Sequence, residues 1–384
     1  MFTARIRRSA VLLGGAAAVL LLAGCQGVVD QGGGGGGDGG GGGAAAPEVT
    51  LTLVTSAIQG TPNAAVQDAF LDMVEERSEG RIAFERTEAY SLCNAQEIAD
   101  CVRDGRADIG VTIPDYTPQY FPSTSVVSIP FIGTNWQAIM QSLHSLHVDN
   151  DNARAIMDRN GLHHLATWPV GRVLIGSPEP IAGPEDLDGL SLRVSGPLAQ
   201  RLFEGAGVNI VALPANEAYE GVERGLVDGV AAGMDFPVNY KLMELLPHWT
   251  DPGLGEYSSF GMWMSKSVYD GLPDDLKTIV DEAAAELSTG LGNEAYVRQA
   301  AEQCPQMLDA DTVEDLTQWD PAVTEQWRTE TGDSLLEGWV ELATSQGLED
   351  AQGVLDDYLA GLDELADVQG EDATLDCVAA FASR

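Results

Sequence analysis

The sequence predicts an α/β protein of two lobes, and three observations lead to this prediction. Between residues 49 and 113, β-branched runs alternate with amphipathic segments in the order β-α-β-α-β, which is typical of parallel strands joined by crossover helices. A second run of the same type begins near Leu165. Some 337 residues follow Pro47, which is more than one hydrophobic core usually serves, so we expect two lobes around a cleft.

The first α/β unit follows from residue spacing. Strands are predicted over 49–55, 81–87 and 107–113, and helices over 63–76 and 95–103. Ligands of such sheets bind beyond the carboxyl ends of the strands. Tyr90 and Tyr116 stand just beyond two of these ends, which makes them candidate ligand contacts. Trp168 is a third aromatic candidate, expected on the facing lobe.

The second unit carries the chain into another lobe and back. Strands are predicted over 170–175, 191–194, 210–213 and 230–232, with helices over 197–204 and 216–225. The apolar segment 257–264 is predicted to return to the first lobe as a strand buried on both faces. A long helix over 274–301 should span both lobes, and the acidic remainder should be helical, with its tryptophans in packing roles. These assignments give lobe I as residues 48–169 plus 260–300, and lobe II as 170–259 plus 301–384.

The N-terminus predicts secretion and a lipid anchor. Three arginines precede the apolar run 11–22, which is too short for a permanent membrane span. Leu22-Ala23-Gly24-Cys25 follows in the pattern of a lipobox, so residues 1–24 are predicted to be a signal peptide and Cys25 the acylated first residue. The alternative is a plain signal peptide followed by an unrelated cysteine.

Residues 25–47 are predicted to be a tether. Every residue from 32 to 43 except Asp38 is glycine, so the segment has almost no side chains to bury. A glycine-rich coil of this length spans roughly 25 Å. We therefore expect the protein to work outside the cell membrane, in the periplasm or at the outer face, attached to the membrane by the lipid alone.

The charge balance excludes some partners. Removal of residues 1–24 leaves 59 acidic and 17 basic residues, a net charge of −42. Nucleic acid and anionic lipid surfaces are therefore not expected partners. The surface composition suits high salt, although a genomic bias toward acidic residues explains it equally well.

The cysteines predict two disulfides. Once Cys25 is assigned to the lipid, an even number remains, as an oxidising compartment favours. The local pairing, Cys93 with Cys101 and Cys304 with Cys377, is the preferred one. A metal site is the alternative, but the spacing matches no common zinc pattern, and no metal or other cofactor is expected.

Two arginines in the second unit could bind an anion. Arg172 and Arg193 fall at predicted strand positions, and a guanidinium offers a planar fork of donors that matches a carboxylate. The flanking residues Leu192 and Val194 would face one side of the sheet and direct Arg193 to the other. For Arg172, a structural ion pair with one of the many acids is the alternative.

Several motifs resemble those of a known family. They lie in the order of that family, over about residues 49–305: Gly105-Arg106-Ala107-Asp108-Ile109-Gly110-Val111, Phe121-Pro122 through Ile129-Pro130-Phe131, Asp186 to Val194, Leu213-Pro214 with Glu217-Ala218-Tyr219, Gly225 to Gly229, and Leu272 to Leu276. The chain thereby resembles the TRAP-transporter solute-binding proteins of the DctP family. The resemblance implies a periplasmic-binding-protein-like fold that closes on an organic acid and delivers it to small and large membrane permease subunits.

The resemblance also assigns roles to residues. The family's arginine in the Leu-Arg-Val segment grips the ligand carboxylate, which carries over to Arg193, and Arg172 occupies the place of a second, assisting arginine. Asp235 and Phe236 follow in the segment where some family members have an asparagine, and Ala215 stands where they have an aromatic residue. These departures argue against a sialic acid. If Asp235 faces the cleft, it would also repel a second ligand carboxylate, which favours a monocarboxylate with a polar or apolar tail.

Two other classes of function stay open at this stage. A secreted hydrolase would need a nucleophile with a base, and the sequence has no Gly-x-Ser-x-Gly motif. The spacing of His144 and His147 is compatible with a metal but lacks an obvious third ligand, so we expect neither catalytic nor metal-binding residues. A binding protein for a sugar or peptide importer driven by ATP, or a sensor, would share the same fold.

Overall fold

Two mixed sheets organise the chain. The computed structural model describes residues 46–384. The strands are β1 Val49–Thr55, β2 Ile82–Arg86, β3 Ile109–Thr112, β4 Leu162–Pro169, β5 Leu174–Ser177, β6 Ser191–Val194, β7 Asn209–Val211, β8 Gly229–Ala232, β9 His248–Asp251, β10 Ser259–Ser265 and β11 Asp315–Gln318. The helices are α1 Pro62–Arg77, α2 Ile98–Arg103, α3 Trp136–Asp149, α4 Asp151–Arg159, α5 Pro197–Gly205, α6 Ala218–Glu223, α7 Asp235–Val238, α8 Lys266–Gly271, α9 Asp274–Glu286, α10 Gly292–Ala300, α11 Gln303–Asp309, α12 Pro321–Ser345, α13 Ala351–Glu364 and α14 Ala373–Ala382.

The first sheet has the order β2-β1-β3-β10-β4. Strands β1, β2 and β3 are parallel, as the β-α-β-α-β pattern predicted. Strand β10 lies antiparallel between β3 and β4, so the predicted return of segment 257–264 to this sheet is confirmed. The carboxyl ends of β1, β2 and β3 therefore share one edge of the sheet, and the loops that follow them form one side of the cleft.

Helix α1 shows how local sequence sets the start of an element beside this edge. The Thr61 side chain accepts a hydrogen bond from the Ala64 backbone N–H at 3.2 Å, and Pro62 occupies the first turn, where no hydrogen-bond donor is needed. Phe70 and Leu71 of this helix are fully buried in the hydrophobic core. The predicted helix over 63–76 thus begins one residue earlier and ends one residue later.

The second sheet has the order β11-β9-β5-β8-β6-β7. Strand β6 is parallel to β7 and β8, whereas β5 is antiparallel to β8 and β9. Strands β9 and β11 were not predicted. Both are four residues long, and β11, with the sequence Asp-Leu-Thr-Gln at the sheet edge, has little of the apolar alternation that indicates a strand.

The predicted continuous helix over 274–301 is interrupted. Helices α9 and α10 are separated by a π-helical turn over Leu287–Leu291, in which Gly290 has a non-helical backbone. Both helices pack against α1 of the first lobe. Helix α12 contacts both lobes: Thr324 Oγ1 donates to the Pro252 carbonyl at 2.8 Å, and Trp339 Nε1 donates to Ser125 Oγ at 3.0 Å.

The C-terminal residues divide between the two sheets. Helix α14 packs against β11 of the second sheet, whereas α13 packs against α3, which covers β4 of the first sheet. The three C-terminal tryptophans are buried: Trp319, Trp327 and Trp339. The two-lobed α/β fold is therefore confirmed, the predicted long helix over 274–301 is wrong as a continuous element, and the exact lobe boundaries remain a proposal.

Two of the sequence predictions concern covalent features. The structure contains the disulfides Cys93–Cys101 and Cys304–Cys377, and the second joins α11 to α14. The predicted signal peptide, Cys25 and nearly all of the glycine-rich tether lie outside the described residues. Within residues 46–384, every helix is too short or too polar to cross a membrane.

Candidate functional site

Arg193 lies fully buried in β6, between the apolar residues Leu192 and Val194. Its Nε donates to the Leu213 carbonyl at 3.0 Å, and its Nη2 donates to the Tyr116 hydroxyl at 3.4 Å. Within residues 46–384, Nη1 is buried without a hydrogen-bond partner. A buried guanidinium with one free donor is costly unless another group pairs with it.

Tyr116 joins the two sides of the cleft. It lies in a 3-10 turn over Pro114–Tyr116, just beyond the carboxyl end of β3 in the first sheet. Its hydroxyl accepts a hydrogen bond from the backbone N–H of Ala215, at 3.0 Å, in the loop after β7 of the second sheet. The two sequence-predicted residues Tyr116 and Arg193 are therefore in direct contact, one from each lobe.

Aromatic rings surround the Arg193 guanidinium. Its Cζ lies 4.8 Å from the centre of the Phe236 ring, and the Tyr240 ring centre lies 4.8 Å from that of Phe236. The Tyr257 hydroxyl accepts the Gly233 N–H at 3.2 Å. Burial lowers the pKa of Arg193, but the nearby hydroxyls of Tyr116 and Tyr257 outweigh it, so the pKa lies above its ordinary value and the group stays charged.

Two carboxyl groups stand near this charge. Asp235, at the start of α7, is 8% exposed, and its Oδ1 has no hydrogen-bond partner among residues 46–384. Burial raises the pKa of Asp235 to about 7, against the opposing effect of the Arg193 charge. Burial also raises the pKa of Asp115 to about 6, although its carboxylate accepts hydrogen bonds from Ser258 at 2.7 Å and Ser128 at 3.0 Å.

Tyr90 adopts a strained backbone at the same edge of the first sheet. Its φ is 64°, in the left-handed region that non-glycine residues rarely adopt. Its N–H donates to the Thr55 carbonyl at 3.0 Å, which ties the loop after β2 to the end of β1. Burial raises the pKa of the Tyr90 phenol. The nearby Tyr116 and Asp235 add to this rise and the Arg193 charge opposes it, so Tyr90 lies in the same group of side chains.

Arg172 lies in different surroundings. Its Nε donates to Asp251 at 3.0 Å and its Nη1 to Asp372 at 3.4 Å, and it forms a β-bridge with Glu256. Its described hydrogen-bond partners are different from those of Arg193. The two arginines expected to act together are thus held by different partners, and Arg172 forms ion pairs with Asp251 and Asp372.

A cavity of about 160 Å³ adjoins Arg172, where the chain crosses between the sheets. Glu256, Tyr296 and Asp372 also line it. Burial raises the pKa of Glu256 to about 8, and the neighbouring Asp372 carboxylate adds to this rise while Arg172 opposes it. Within residues 46–384, Glu256 Oε2 has no hydrogen-bond partner.

Trp168 was expected on the facing lobe, and this expectation is wrong. It belongs to β4 of the first sheet because the strand begins at Leu162, before the predicted second unit. The ring is fully buried, its Nε1 donates to Asn63 Oδ1 at 3.2 Å, and it lies nearly parallel to Phe260 with the ring centres 6.1 Å apart. Its contacts are therefore those of a core residue of lobe I.

The side chains around Arg193 form what we call the Arg193 group: Tyr90, Asp115, Tyr116, Asp235, Phe236, Tyr240 and Tyr257. Sequence reasoning missed three of its members. Tyr240 follows Phe236 by four residues, the spacing of side chains on one helix face, which was a usable signal. Tyr257 was assigned to a strand and Asp115 only to a strand end. No local pattern shows that their side chains reach Arg193, because the contacts come from distant segments.

Comparison with known proteins agrees with this architecture. Residues 54–339 match the family model of the bacterial extracellular solute-binding protein, family 7, named DctP. The ectoine-binding periplasmic protein TeaA of Halomonas elongata is 24% identical over 228 residues, which are 59% of this chain and 66% of TeaA. The C4-dicarboxylate-binding periplasmic protein DctP of Rhodobacter capsulatus is 23% identical over 72% of this chain and 83% of its own length.

Solved structures show the same fold. A TRAP periplasmic solute-binding protein from Bordetella bronchiseptica, solved with bound mandelate, aligns with a TM-score of 0.71 and 23% identity. The alignment covers 83% of this chain and 99% of that one. Because the family model covers well over half of the sequence, the chain belongs to the bacterial extracellular solute-binding protein family 7, the DctP family of TRAP-transporter binding proteins.

Proposed function

We propose that the chain is the extracytoplasmic binding protein of a TRAP-type transporter. It captures an organic acid by its carboxylate between the lobes and delivers it to small and large membrane permease subunits. The observation that carries this proposal is Arg193, a buried cation at the lobe contact with one donor nitrogen unpaired among the described residues. A ligand carboxylate supplies the partner that Nη1 lacks, through charge-assisted hydrogen bonds.

The family relatives support an acidic ligand. By their names they bind ectoine, C4-dicarboxylates and mandelate, and all three molecules carry a carboxylate. These relatives are binding proteins, and in our proposal the lobes close around the ligand without changing a covalent bond.

Individual residues take different roles in the proposal. Arg193 is the carboxylate anchor, Tyr116 and Phe236 form the walls beside it, and Tyr90 and Asp235 complete the enclosure. Arg172 supplies a second positive charge at the crossing between the sheets, and Trp168 shapes the first lobe from within. Arg172 is the weaker ligand candidate because Asp251 already pairs with it.

A thermal-shift screen of organic acids tests the proposal. Saturating ligand stabilises the folded chain by RT ln(1 + [L]/Kd), so a binding acid raises the melting temperature. Arg193→Ala should abolish this rise, whereas Arg224→Ala, which removes an exposed arginine paired with Glu220, should preserve it. An equal rise in the melting temperature of the Arg193→Ala variant would show that Arg193 is not part of the binding site.

The lipid anchor forms a separate part of the proposal. Cys25 is the acylation site, and the glycine-rich segment holds the lobes in the aqueous layer outside the membrane. Cys25→Ala should move the protein from the membrane fraction to the soluble extracytoplasmic fraction and abolish labelling by a radioactive fatty acid. Continued membrane attachment of this variant would contradict the anchor without affecting the ligand site.

A further inference from the structure

Two atoms of oppositely charged side chains in the Arg193 group have no hydrogen-bond partner within residues 46–384. They are Nη1 of Arg193 and Oδ1 of Asp235, and both atoms are buried. The two residues share neighbours, because Phe236 directly follows Asp235 and its ring lies under the Arg193 guanidinium. The two side chains nevertheless form no salt bridge with each other.

The surroundings give Asp235 no other cation. Within residues 46–384, no lysine, arginine or histidine forms a salt bridge with Asp235; the charge of Arg193 and five tyrosines lie near it, and Asp115 lies near Arg193. Those tyrosines are Tyr90, Tyr116, Tyr240, Tyr257 and Tyr296. Asp115 already accepts hydrogen bonds from Ser128 and Ser258, whereas Oδ1 of Asp235 has no donor among residues 46–384.

We propose that this site selects a zwitterion, an organic acid that carries a cationic nitrogen as well as its carboxylate. Arg193 binds the carboxylate, and Asp235 accepts an N–H from the cationic group. This inference rests on the proposed function, since it takes Arg193 as the carboxylate anchor. It adds a specificity-determining residue and a ligand class that the anchor alone does not define.

Other organic acids fit the pair less well. A dicarboxylate would place its second negative charge beside Asp235 and repel it. An acid with an apolar tail would leave the Asp235 oxygen buried and unpaired, which is unfavourable. A hydroxy acid would offer one neutral donor, which gives a weaker hydrogen bond than a charged one. Only a cationic donor satisfies both the charge and the hydrogen bond of Asp235.

The pH dependence of binding should distinguish these ligands in the unaltered chain. Burial raises the pKa of Asp235 to about 7, so the carboxyl is largely protonated at pH 6 in the free protein. A zwitterion requires the ionised form, and its affinity should fall by up to tenfold for each pH unit below 7. A simple anion is bound better by the protonated form, so its affinity should rise in the same interval. Asp115, with a pKa of about 6, also changes its protonation below pH 7. The difference between the pH profiles of the unaltered chain and Asp235→Asn gives the contribution of Asp235 alone.

Isothermal titration calorimetry on the full chain tests the inference with matched probes. Phenylglycine, mandelate and phenylacetate share one skeleton and carry an ammonium, a hydroxyl or a hydrogen, respectively, on the carbon next to the carboxylate. Proline, a second zwitterion, is matched by the uncharged-ring analogue cyclopentanecarboxylate. Ectoine and succinate complete the set. We expect the tightest binder to be a zwitterion, at least tenfold tighter than its uncharged analogue, and Asp235→Asn to remove this preference. Asp333→Asn, at an exposed position of α12, should preserve it.

The outcomes separate the inference from the proposed function. If the tightest binder lacks a cationic nitrogen and Asp235→Asn binds it equally well or better, the zwitterion inference is overturned and the carboxylate anchor stands. If no organic acid of any charge binds, the proposed function fails and the inference fails with it. The comparison of matched zwitterionic and uncharged probes in the unaltered chain needs no variant, so the inference can be decided even if Asp235→Asn does not fold: an uncharged analogue that binds as tightly as its zwitterion overturns it.

Discussion

The Arg193 guanidinium and the Tyr116 hydroxyl are in hydrogen-bond contact across the cleft, with Nη2 and Oη 3.4 Å apart. Arg193 lies in β6 of the second sheet, and Tyr116 follows β3 of the first. The same hydroxyl also accepts the Ala215 N–H, so one phenol oxygen connects the first lobe to two segments of the second. The residue proposed to anchor the ligand is therefore also a residue that holds the lobes together.

Tyr116→Phe should weaken the contact between the lobes. The variant loses two hydrogen bonds between the lobes, each contributing about 1 kcal/mol to the free energy of unfolding. We expect a lower melting temperature and a larger radius of gyration in small-angle X-ray scattering of the ligand-free chain. Tyr219→Phe, which removes an exposed hydroxyl bonded to Glu244, serves as the control and should change neither quantity. An unchanged radius and melting temperature in Tyr116→Phe would show that this contact does not hold the lobes together.

Arg172→Ala should destabilise the fold strongly. Asp251 is fully buried, and removal of its cation leaves an uncompensated charge at a cost of about 3–5 kcal/mol. The free energy of unfolding in urea measures this loss. Adding Asp251→Asn to the variant should recover part of the loss, because the unpaired charge is then gone. Arg224→Ala, which breaks an exposed pair with Glu220, should cost about 0.5 kcal/mol or less. A small loss in Arg172→Ala would mean that the ion pair is not structural.

Stability should decline between pH 6.5 and 8. Burial raises the pKa of Glu256 to about 8 and that of Asp235 to about 7, so the folded chain keeps protons that the unfolded chain releases. The free energy of unfolding then falls as pH rises, by about 1.4 kcal/mol for each group and pH unit below its folded pKa. Buried His147 and His164, whose pKa values burial lowers, act in the opposite direction but only below their ordinary value of 6.5.

Urea titrations at pH 6.5, 7 and 8 check this prediction. Glu256→Gln should flatten the decline, since it removes the group with the higher of the two raised pKa values. Glu330→Gln, at an exposed position of α12, should keep the slope of the unaltered chain. A stability that is constant or increases over this interval would mean that Glu256 is ionised in the folded protein.

The Cys304–Cys377 disulfide should stabilise the chain more than Cys93–Cys101. The two bonds close loops of 73 and 8 residues, and loop-closure entropy predicts contributions of about 4 and about 2–3 kcal/mol. Urea unfolding of the paired serine variants measures each contribution. Because the longer loop ties α11 to α14, its loss should also increase hydrogen exchange in α14. Equal losses for both pairs, or a larger one for the shorter loop, would contradict the entropic explanation.

Local pattern was sufficient for much of the fold and for the position of Arg193. The parallel core of the first sheet, strand β6 and the return of β10 follow from apolar periodicity, which depends on neighbouring residues only. Apolar periodicity did not predict β9, which is short, or β11, which is polar and lies at a sheet edge. It also predicted a continuous helix where the non-helical backbone of Gly290 interrupts it. It also missed the whole of β4, so Trp168 was expected on the facing lobe as a ligand contact although the predicted bounds of lobe I, 48–169, include it.

The sequence by itself determined an α/β chain with a buried arginine in an apolar strand, because alternation of side chains along a strand is a local property. Only the tertiary structure decided the partners of each arginine. Arg193 meets Tyr116 across 77 residues of sequence, and Arg172 meets Asp251 across 79. Contacts over such separations depend on how the two sheets pack, and many acids and tyrosines in the sequence were equally eligible partners. The physical distinction between Arg193, the proposed anchor, and Arg172, the ion-paired arginine, therefore arises from packing, which brings a carboxylate to Arg172 and leaves one nitrogen of Arg193 without a partner among the described residues.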